Sequence, residues 1–277
     1  MNSFKNYKVG FYGVEASFSH EALLKYFGND TDALSCAEFK DVFDSLSDEH
    51  IKYGVVPIEN SSTGGILDVY DLMRDYGFYI VGEKCIKINH NLLGIKGSKI
   101  DDIDEVYSHS QAFLQCKKFL VEHDNWKLTP YFSTARSAKF ISEIRLKNKA
   151  CIASEKAAEL YGLDILKQNI NYNKNNYTRF IVIGKEEINC EDKDKISIVF
   201  TLDHRVGTLF NILRYFKENN LNLIKIESRP IIDEPWQYFF YLDFNGNIMK
   251  KDTRIAMEGI KNNCKYFRIL GNYKADF

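Results

Sequence analysis

An aliphatic hydroxyl and a guanidinium stand side by side in Asn176-Tyr177-Thr178-Arg179-Phe180, a polar turn that opens directly into the apolar run Ile181-Val182-Ile183. A group at the mouth of a strand has a fixed backbone, while its side chain can still face a cleft. Thr178 is therefore the candidate reacting group, and the planar fork of Arg179 suits a carboxylate. Taken alone the pentapeptide is a weak signal, since a β-branched strand residue followed by a solvated charge has the same appearance. Asn176-Tyr177-Thr178 and Asn60-Ser61-Ser62 also match a glycosylation acceptor, which has meaning only in an exported chain.

The other polar groups that could serve a site fall at expected helix mouths. Ser17 or Ser19, the segment Asn60-Ser61-Ser62-Thr63-Gly64-Gly65, Ser108, Ser133-Thr134 and Ser154 each precede a run with helical spacing. Each can be read simply as an N-cap, and Ser108-His109-Ser110-Gln111 fits a capping box. Several helix N-termini converging on one cleft would nevertheless hold a small anion with few arginines. Gln111 and Gln115 lie one helical turn apart near such an N-terminus, where an uncharged amide can donate and accept.

Composition narrows the field. Thirty-seven basic residues nearly cancel 38 acidic ones, so nothing points to nucleic acid, and Lys117-Lys118 and Lys250-Lys251 read as solvated faces. The start Met1-Asn2-Ser3-Phe4-Lys5 has no apolar leader core and no apolar run approaches membrane-spanning length, so a cytoplasmic protein without membrane contact is expected. Cys36, Cys85, Cys116, Cys151, Cys190 and Cys264 are widely spaced, which predicts reduced, mostly buried thiols. The six histidines lack metal-site spacing, and His90 and His109 are expected to be hydrogen-bonded structural residues. No metal is expected.

The elements that must position these groups alternate. Strands are expected over Tyr7 to Tyr12, Ile51 to Ile58, Glu105 to Tyr107, Tyr131-Phe132 and Cys151 to Ala153, each leading to a helix, the last stopped near Gly162. This is an α/β pattern with largely parallel sheets. The chain turns polar from Lys185 to Lys195, which sets a domain boundary: residues 1–187 and 194–277. Beyond it come a strand over Ile196 to Leu202, a helix carrying Leu209, Ile212, Leu213 and Phe216, strands over Leu221 to Ser228 and Trp236 to Phe244, a helix to about Asn263 and a strand over Tyr266 to Leu270. The order βαββαβ is ferredoxin-like, and its open sheet edges predict association.

Four segments in this order, Val56-Pro57-Ile58-Glu59-Asn60-Ser61-Ser62, Ser108-His109-Ser110-Gln111-Ala112 with Gln115-Cys116, Ser133-Thr134-Ala135 and Asn176-Tyr177-Thr178-Arg179-Phe180, resemble the prephenate dehydratase family. The resemblance covers nearly the whole chain. It implies a two-lobed, periplasmic-binding-protein-like catalytic domain followed by an ACT regulatory module. It also implies decarboxylating dehydration of prephenate to phenylpyruvate without a cofactor, in phenylalanine biosynthesis. In that resemblance Thr178 donates to the leaving hydroxyl, and Asn60, Ser108 and Gln115 are the other catalytic positions. Arg179, Phe180, Ser17, Ser61 and Thr134 would bind substrate, Arg179 by holding a carboxylate directly or by holding the cleft. Glu59 is read as structural, because its charge beside bound carboxylates would repel the substrate. Gly207, Leu209, Asn222, Glu227, Ser228, Arg229 and Pro230 match the effector site for L-phenylalanine, and a homodimer or homotetramer is expected. Val14 and Ala16 stand where proline and glycine are common in the family, and Val206-Gly207-Thr208-Leu209 replaces a proline-glycine-alanine-leucine turn. No helical chorismate mutase segment precedes the first strand, which predicts a monofunctional enzyme. Arogenate, with an amine where prephenate has a keto group, is an alternative substrate. A non-catalytic amino-acid sensor is the alternative from another class.

Overall fold

The computed structural model describes residues 7–188 and 191–276; the leader reading of the first residues and the thiol of Cys190 lie outside that range. Three sheets organise the chain. The first has the order Ala33–Cys36, Val9–Tyr12, Tyr53–Asn60, Tyr177–Gly184, Tyr79–Lys87, with Gly64–Gly65 paired to the end of Tyr53–Asn60. The second runs Asp164–Lys167, Asn91–Gly94, Lys149–Ala153, Glu105–Ser108, Lys127–Pro130. Helices pack against both.

The expectation of largely parallel sheets is corrected: three of the five strand pairings in the first sheet and two of the four in the second are antiparallel. The chain leaves the first lobe after Lys87, builds the whole second lobe, and returns as Tyr177–Gly184 between two strands already formed. The outgoing and returning segments run side by side, with the Ile88 amide donating to the Asn176 carbonyl at 2.8 Å. A strand inserted on the way back must run against its neighbours. Flanked on both sides, it is buried from Thr178 to Gly184, which is why Phe180 to Ile183 is uniformly apolar rather than alternating.

The third sheet has the order Leu223–Ile231, Glu234–Asn245, Lys195–Thr201, Tyr266–Tyr273, all antiparallel, with helices Thr208–Glu218 and Lys251–Asn262 on one face. This is the ferredoxin-like βαββαβ arrangement. Its other face packs on the first lobe, where Val199, Tyr241, Leu270 and Tyr273 join Val69, Tyr70, Met73 and Ile80 in one core. Contact there is close: a Cβ on Gly271 would lie 2.1 Å from the Ile80 carbonyl oxygen. Arg268 closes the seam by donating to the carbonyls of Met73 (3.1 Å) and Phe78 (2.6 Å).

No helix among the described residues is long and apolar enough to cross a membrane, and no cluster of His, Cys, Asp or Glu there could hold a metal ion. Cys36, Cys116 and Cys151 are buried and Cys85 and Cys264 half-buried, none in a disulfide.

Candidate active site

Thr178 pairs with Asn60 across adjacent strands at the point where both leave the first sheet. The Asn60 side-chain oxygen accepts from the backbone amides of Ser62 (2.9 Å) and Thr63 (3.2 Å). That fixes which end of the amide is nitrogen. Asn60 Nδ2 then donates to Thr178 Oγ1 at 2.9 Å, to Asn176 Oδ1 at 2.7 Å and to the Tyr177 carbonyl at 3.1 Å. With its oxygen used as an acceptor, the Thr178 hydroxyl keeps its proton to donate elsewhere.

Thr178 lines a cleft of about 550 Å³ between the lobes, together with Asn60, Ser17, Pro57 and Phe180 from the first and His109, Gln115, Phe132, Thr134 and Arg136 from the second. Phe18, Phe39 and Ile66 make much of the wall apolar. Two helices, Phe18–Phe27 and Thr134–Ile144, begin at the cleft through their caps Ser17 and Ser133, which accept from His20 N and Arg136 N. Their positive ends add to the site's affinity for anions. Gln115 is held by His90, whose Nε2 lies 2.8 Å from Gln115 Oε1, leaving the Gln115 NH₂ without a protein partner among the described residues. Burial keeps the His90 pKa below its ordinary value, so it is neutral at pH 7 and donates to that oxygen. Its Nδ1 is buried and has no partner among the described residues.

Several expected site residues are elsewhere. Ser108 does not cap a helix: it ends the strand Glu105–Ser108, fully buried, and its hydroxyl donates to the Ile152 carbonyl at 2.7 Å. The cap is His109, one residue on, which accepts from Gln111 N and lines the cleft. Strand alternation turns one of the two inward and the other outward. Ser61 ties the loop behind Thr178, donating to the Asn175 carbonyl and accepting from Tyr177 N, and does not line the cleft. Tyr131-Phe132 is no strand; the strand is Lys127–Pro130, and Phe132 is exposed at the cleft.

The direct reading of Arg179 is also corrected. Its guanidinium lies on the opposite face of the strand from Thr178, buried, and is bonded to Glu59 (2.7 Å), Glu83 (3.2 Å) and Asp243 (2.6 Å). Each of its three nitrogens already donates to a carboxylate of the protein and Arg179 does not line the cleft, so it is not placed to take a substrate carboxylate. Glu59 is structural, paired with Arg179 and Lys225 and off the cleft. Burial would raise its pKa, but Arg179 and Lys225 outweigh that and hold it below the ordinary value, ionised.

The cation that does face the cleft is Arg136, unforeseen from the sequence. It lies 5.8 Å over the Phe132 ring and forms no ion pair among the described residues. One signal was available: a cation in the first turn of a helix sits at the wrong end of the dipole, a local violation that often marks function.

Comparison with known proteins fits this geometry. The family model described as prephenate dehydratase matches residues 9–188. This chain belongs to the prephenate dehydratase family. The Escherichia coli K12 bifunctional chorismate mutase/prephenate dehydratase is 32% identical over 274 residues, covering 97% of this chain and 71% of the relative. Arogenate dehydratase 2 of Petunia hybrida is 34% identical over 285 residues, covering 97% and 72%. Among solved structures, the prephenate dehydratase from Arthrobacter aurescens in complex with L-Phe is 28% identical with a TM-score of 0.88, over 97% of this chain and 90% of that one.

Against the prephenate dehydratase pattern, Ala16 takes φ of 60°, a left-handed conformation that glycine holds without strain and that costs another residue roughly 1–2 kcal/mol. Gly207 is retained, with φ of 83°, as the cap of the helix Thr208–Glu218. The residues matched to the effector site divide between two faces of an edge strand. Glu227 and Arg229 face the first lobe, beside Lys225 and paired with Asp71 respectively, whereas Ser228 and Pro230 are exposed. Leu209 lines a separate cavity of about 400 Å³ near Trp236 and Tyr238, and Asn222 reaches Asn245.

Proposed function

We propose that this chain converts prephenate to phenylpyruvate, carbon dioxide and water. The observation that supports the reading is the hydrogen bond from Asn60 Nδ2 to Thr178 Oγ1, which uses the threonine oxygen as an acceptor and leaves its proton free to be donated to a ligand in the cleft. Prephenate is a dianion whose ring bears a carboxylate and, across the ring, a hydroxyl. The electrons of the breaking carbon–carboxylate bond flow into the ring as the carbon–oxygen bond breaks, one proton is taken up by the leaving oxygen, and the ring becomes aromatic. Threonine is a weak acid, so Thr178 acts mainly by donating a pre-placed hydrogen bond where negative charge develops. Gln115, oriented by His90, and Asn60 supply the other polar contacts, and Phe180 and Thr134 shape the wall.

Arg136 is assigned to the side-chain carboxylate, the one the product keeps. A cation on the departing carboxylate would stabilise the ground state more than the transition state and slow its loss. Decarboxylation is better served by the apolar wall.

The C-terminal unit is read as an ACT module, dividing the chain into 1–187 and 194–277, with L-phenylalanine as effector. Its edge strand Leu223–Ile231 exposes Ile224 and Ile226, which supports pairing through that edge into a homodimer or homotetramer. A ligand acts on the cleft only through unequal affinity for two conformations.

The test is turnover of prephenate by the purified protein, with phenylpyruvate followed by its absorbance in alkali and arogenate run in competition. A larger kcat/KM for arogenate would exchange the substrate, and ligand-induced stabilisation without turnover of either would favour a sensor. Saturating phenylalanine is expected to change turnover and raise the melting temperature; neither change would remove the regulatory part.

A further inference from the structure

Behind the Asn60–Thr178 pair, on the face of the sheet away from the cleft, three cations and three carboxylates are buried or half-buried together. Arg179 meets Glu59, Glu83 and Asp243; Lys195 meets Glu83 at 2.8 Å; Lys225 meets Glu59. Asp243, Lys195 and Lys225 belong to the C-terminal sheet, and the others to the first lobe. These six groups balance in charge, with Glu227 at their margin, 3.7 Å from Lys225, and they lie in an otherwise largely apolar seam.

We propose that Asp243 is a positioning residue for the reaction: through Arg179, a residue of the C-terminal sheet holds Thr178 in register at the cleft. Thr178 and Arg179 are consecutive on one strand, so their side chains leave on opposite faces and share one piece of backbone. The ladder is continuous there on the Tyr79–Lys87 side, but on the Asn60 side the register with Tyr53–Asn60 shifts directly after Arg179. At such a bulge the anchor of the flanking side chain decides where the strand mouth sits. Glu59 and Glu83 come from neighbouring strands of the same sheet and move with it. Asp243 is the one carboxylate that ties the guanidinium to the other unit, at 2.6 Å, with the Tyr273 hydroxyl a longer second acceptor there at 3.4 Å; Asp243 is held in turn by Ser197 Oγ, which donates to its Oδ1 at 2.6 Å. The catalytic geometry is thus completed by the C-terminal unit, and any ligand that shifts that sheet acts on Thr178 by this route.

The inference rests on Thr178 being the hydrogen-bond donor of the reaction. Asp243→Asn keeps the shape and removes the charge. A displacement of a few tenths of an ångström at the donor should lower kcat by about 10-fold with KM changed by less than about 2-fold, because the interaction is made in the transition state. It also leaves a buried cation in excess, so it lowers the melting temperature. Arg179→Gln with Asp243→Asn restores neutrality: the double variant should recover most of the melting temperature while kcat stays low, and Asp243→Glu should recover kcat in part. A double variant that regains both stability and kcat, or an Asp243→Asn enzyme with wild-type kcat, overturns the proposal. Ser197→Ala, which removes the hydrogen bonds to Asp243 and Tyr273 and no charge, decides the matter should both charge variants misfold: a measurable fall in kcat at unchanged KM supports the link, and an unchanged kcat sinks it. Thr178→Val separates the two levels. If it turns over normally, the catalytic reading fails; if it is slow while the Asp243 variants are normal, only the positioning role fails.

Discussion

Thr178→Val removes the one atom to which the chemistry is assigned and almost nothing else. Valine is close to threonine in shape, fits a buried strand, and here occupies a position only 9% exposed. The structural cost is small because Asn60 Nδ2 keeps Asn176 Oδ1 and the Tyr177 carbonyl as acceptors, so no donor is orphaned. Loss of one hydrogen bond whose partner stays satisfied costs about 1 kcal/mol of stability. The catalytic cost is larger. A pre-placed donor at a site of developing charge contributes about 10²–10³ in kcat, or roughly 2.7–4 kcal/mol. At saturating prephenate, corrected for its slow acid-driven decay, kcat should therefore fall by about 10²-fold or more with KM little altered. Thr178→Ser keeps the oxygen and loses only the methyl that stiffens the rotamer, so it should stay within about 10-fold of wild type. A folded valine variant with near-normal kcat refutes the assignment. A serine variant as slow as the valine one would mean that side-chain packing, and not the hydroxyl, is what matters.

The remaining expectations concern the anion and the acid side of the stability curve. Arg136→Gln should raise KM for prephenate by about 10–100-fold, the scale of one charge-assisted hydrogen bond, with a smaller effect on kcat; an unchanged KM would return the carboxylate to the helix N-termini alone. His90 and His20 have pKa values pushed below the ordinary 6.5, in both cases chiefly by burial. The unfolded chain therefore binds protons near pH 6.5 that the folded chain refuses, so stability is full above that pH and falls as the pH drops below it. Each buried neutral histidine contributes a slope of at most about 1.4 kcal/mol per pH unit. Urea midpoints between pH 7 and pH 5 should show the decline, and His90→Gln should flatten it; an unaltered slope would mean that His90 protonates in place.

What the sequence makes legible is local. Ser17, Ser133 and Ser154 accept from the amides that an N-cap serves, Gly162 ends its helix in the left-handed conformation, and the βαββαβ order of the last 83 residues follows from hydrophobic spacing alone. Ser108 shows where that reasoning fails. Its capping-box match is real, but the residue is the last of a strand, and the neighbouring carbonyl of Ile152 offers its hydroxyl a better partner than the helix. The mixed sheets were hidden for a topological reason, since no local pattern tells that the strand at Tyr177 returns to a sheet left ninety residues earlier. Arg179 was misplaced for the same reason: Glu59, Glu83 and Asp243 are brought to it only by the fold.

The division of charge between the two faces of one strand pair answers a problem posed by the substrate. A dianion must be drawn in, yet the carboxylate that leaves must not be held too well. Carboxylates near the cleft would repel the substrate, and an excess of cations would stabilise its ground state. On the cleft side, Tyr53–Asn60 and Tyr177–Gly184 present an amide and a hydroxyl and no charge, with Arg136 as the cation on the opposite lobe. On the rear side the same two strands carry Glu59 and Arg179, matched into a neutral cluster whose remaining members come from Tyr79–Lys87 and the C-terminal sheet. Glu59-Asn60 and Thr178-Arg179 are thus one arrangement seen from two faces: alternation along each strand puts the uncharged partner toward substrate and the charged one toward the body of the protein. Asn60→Asp would set a carboxylate oxygen against the three acceptors that the amide now serves and put a negative charge on the face turned toward the dianion, so both stability and turnover should fall.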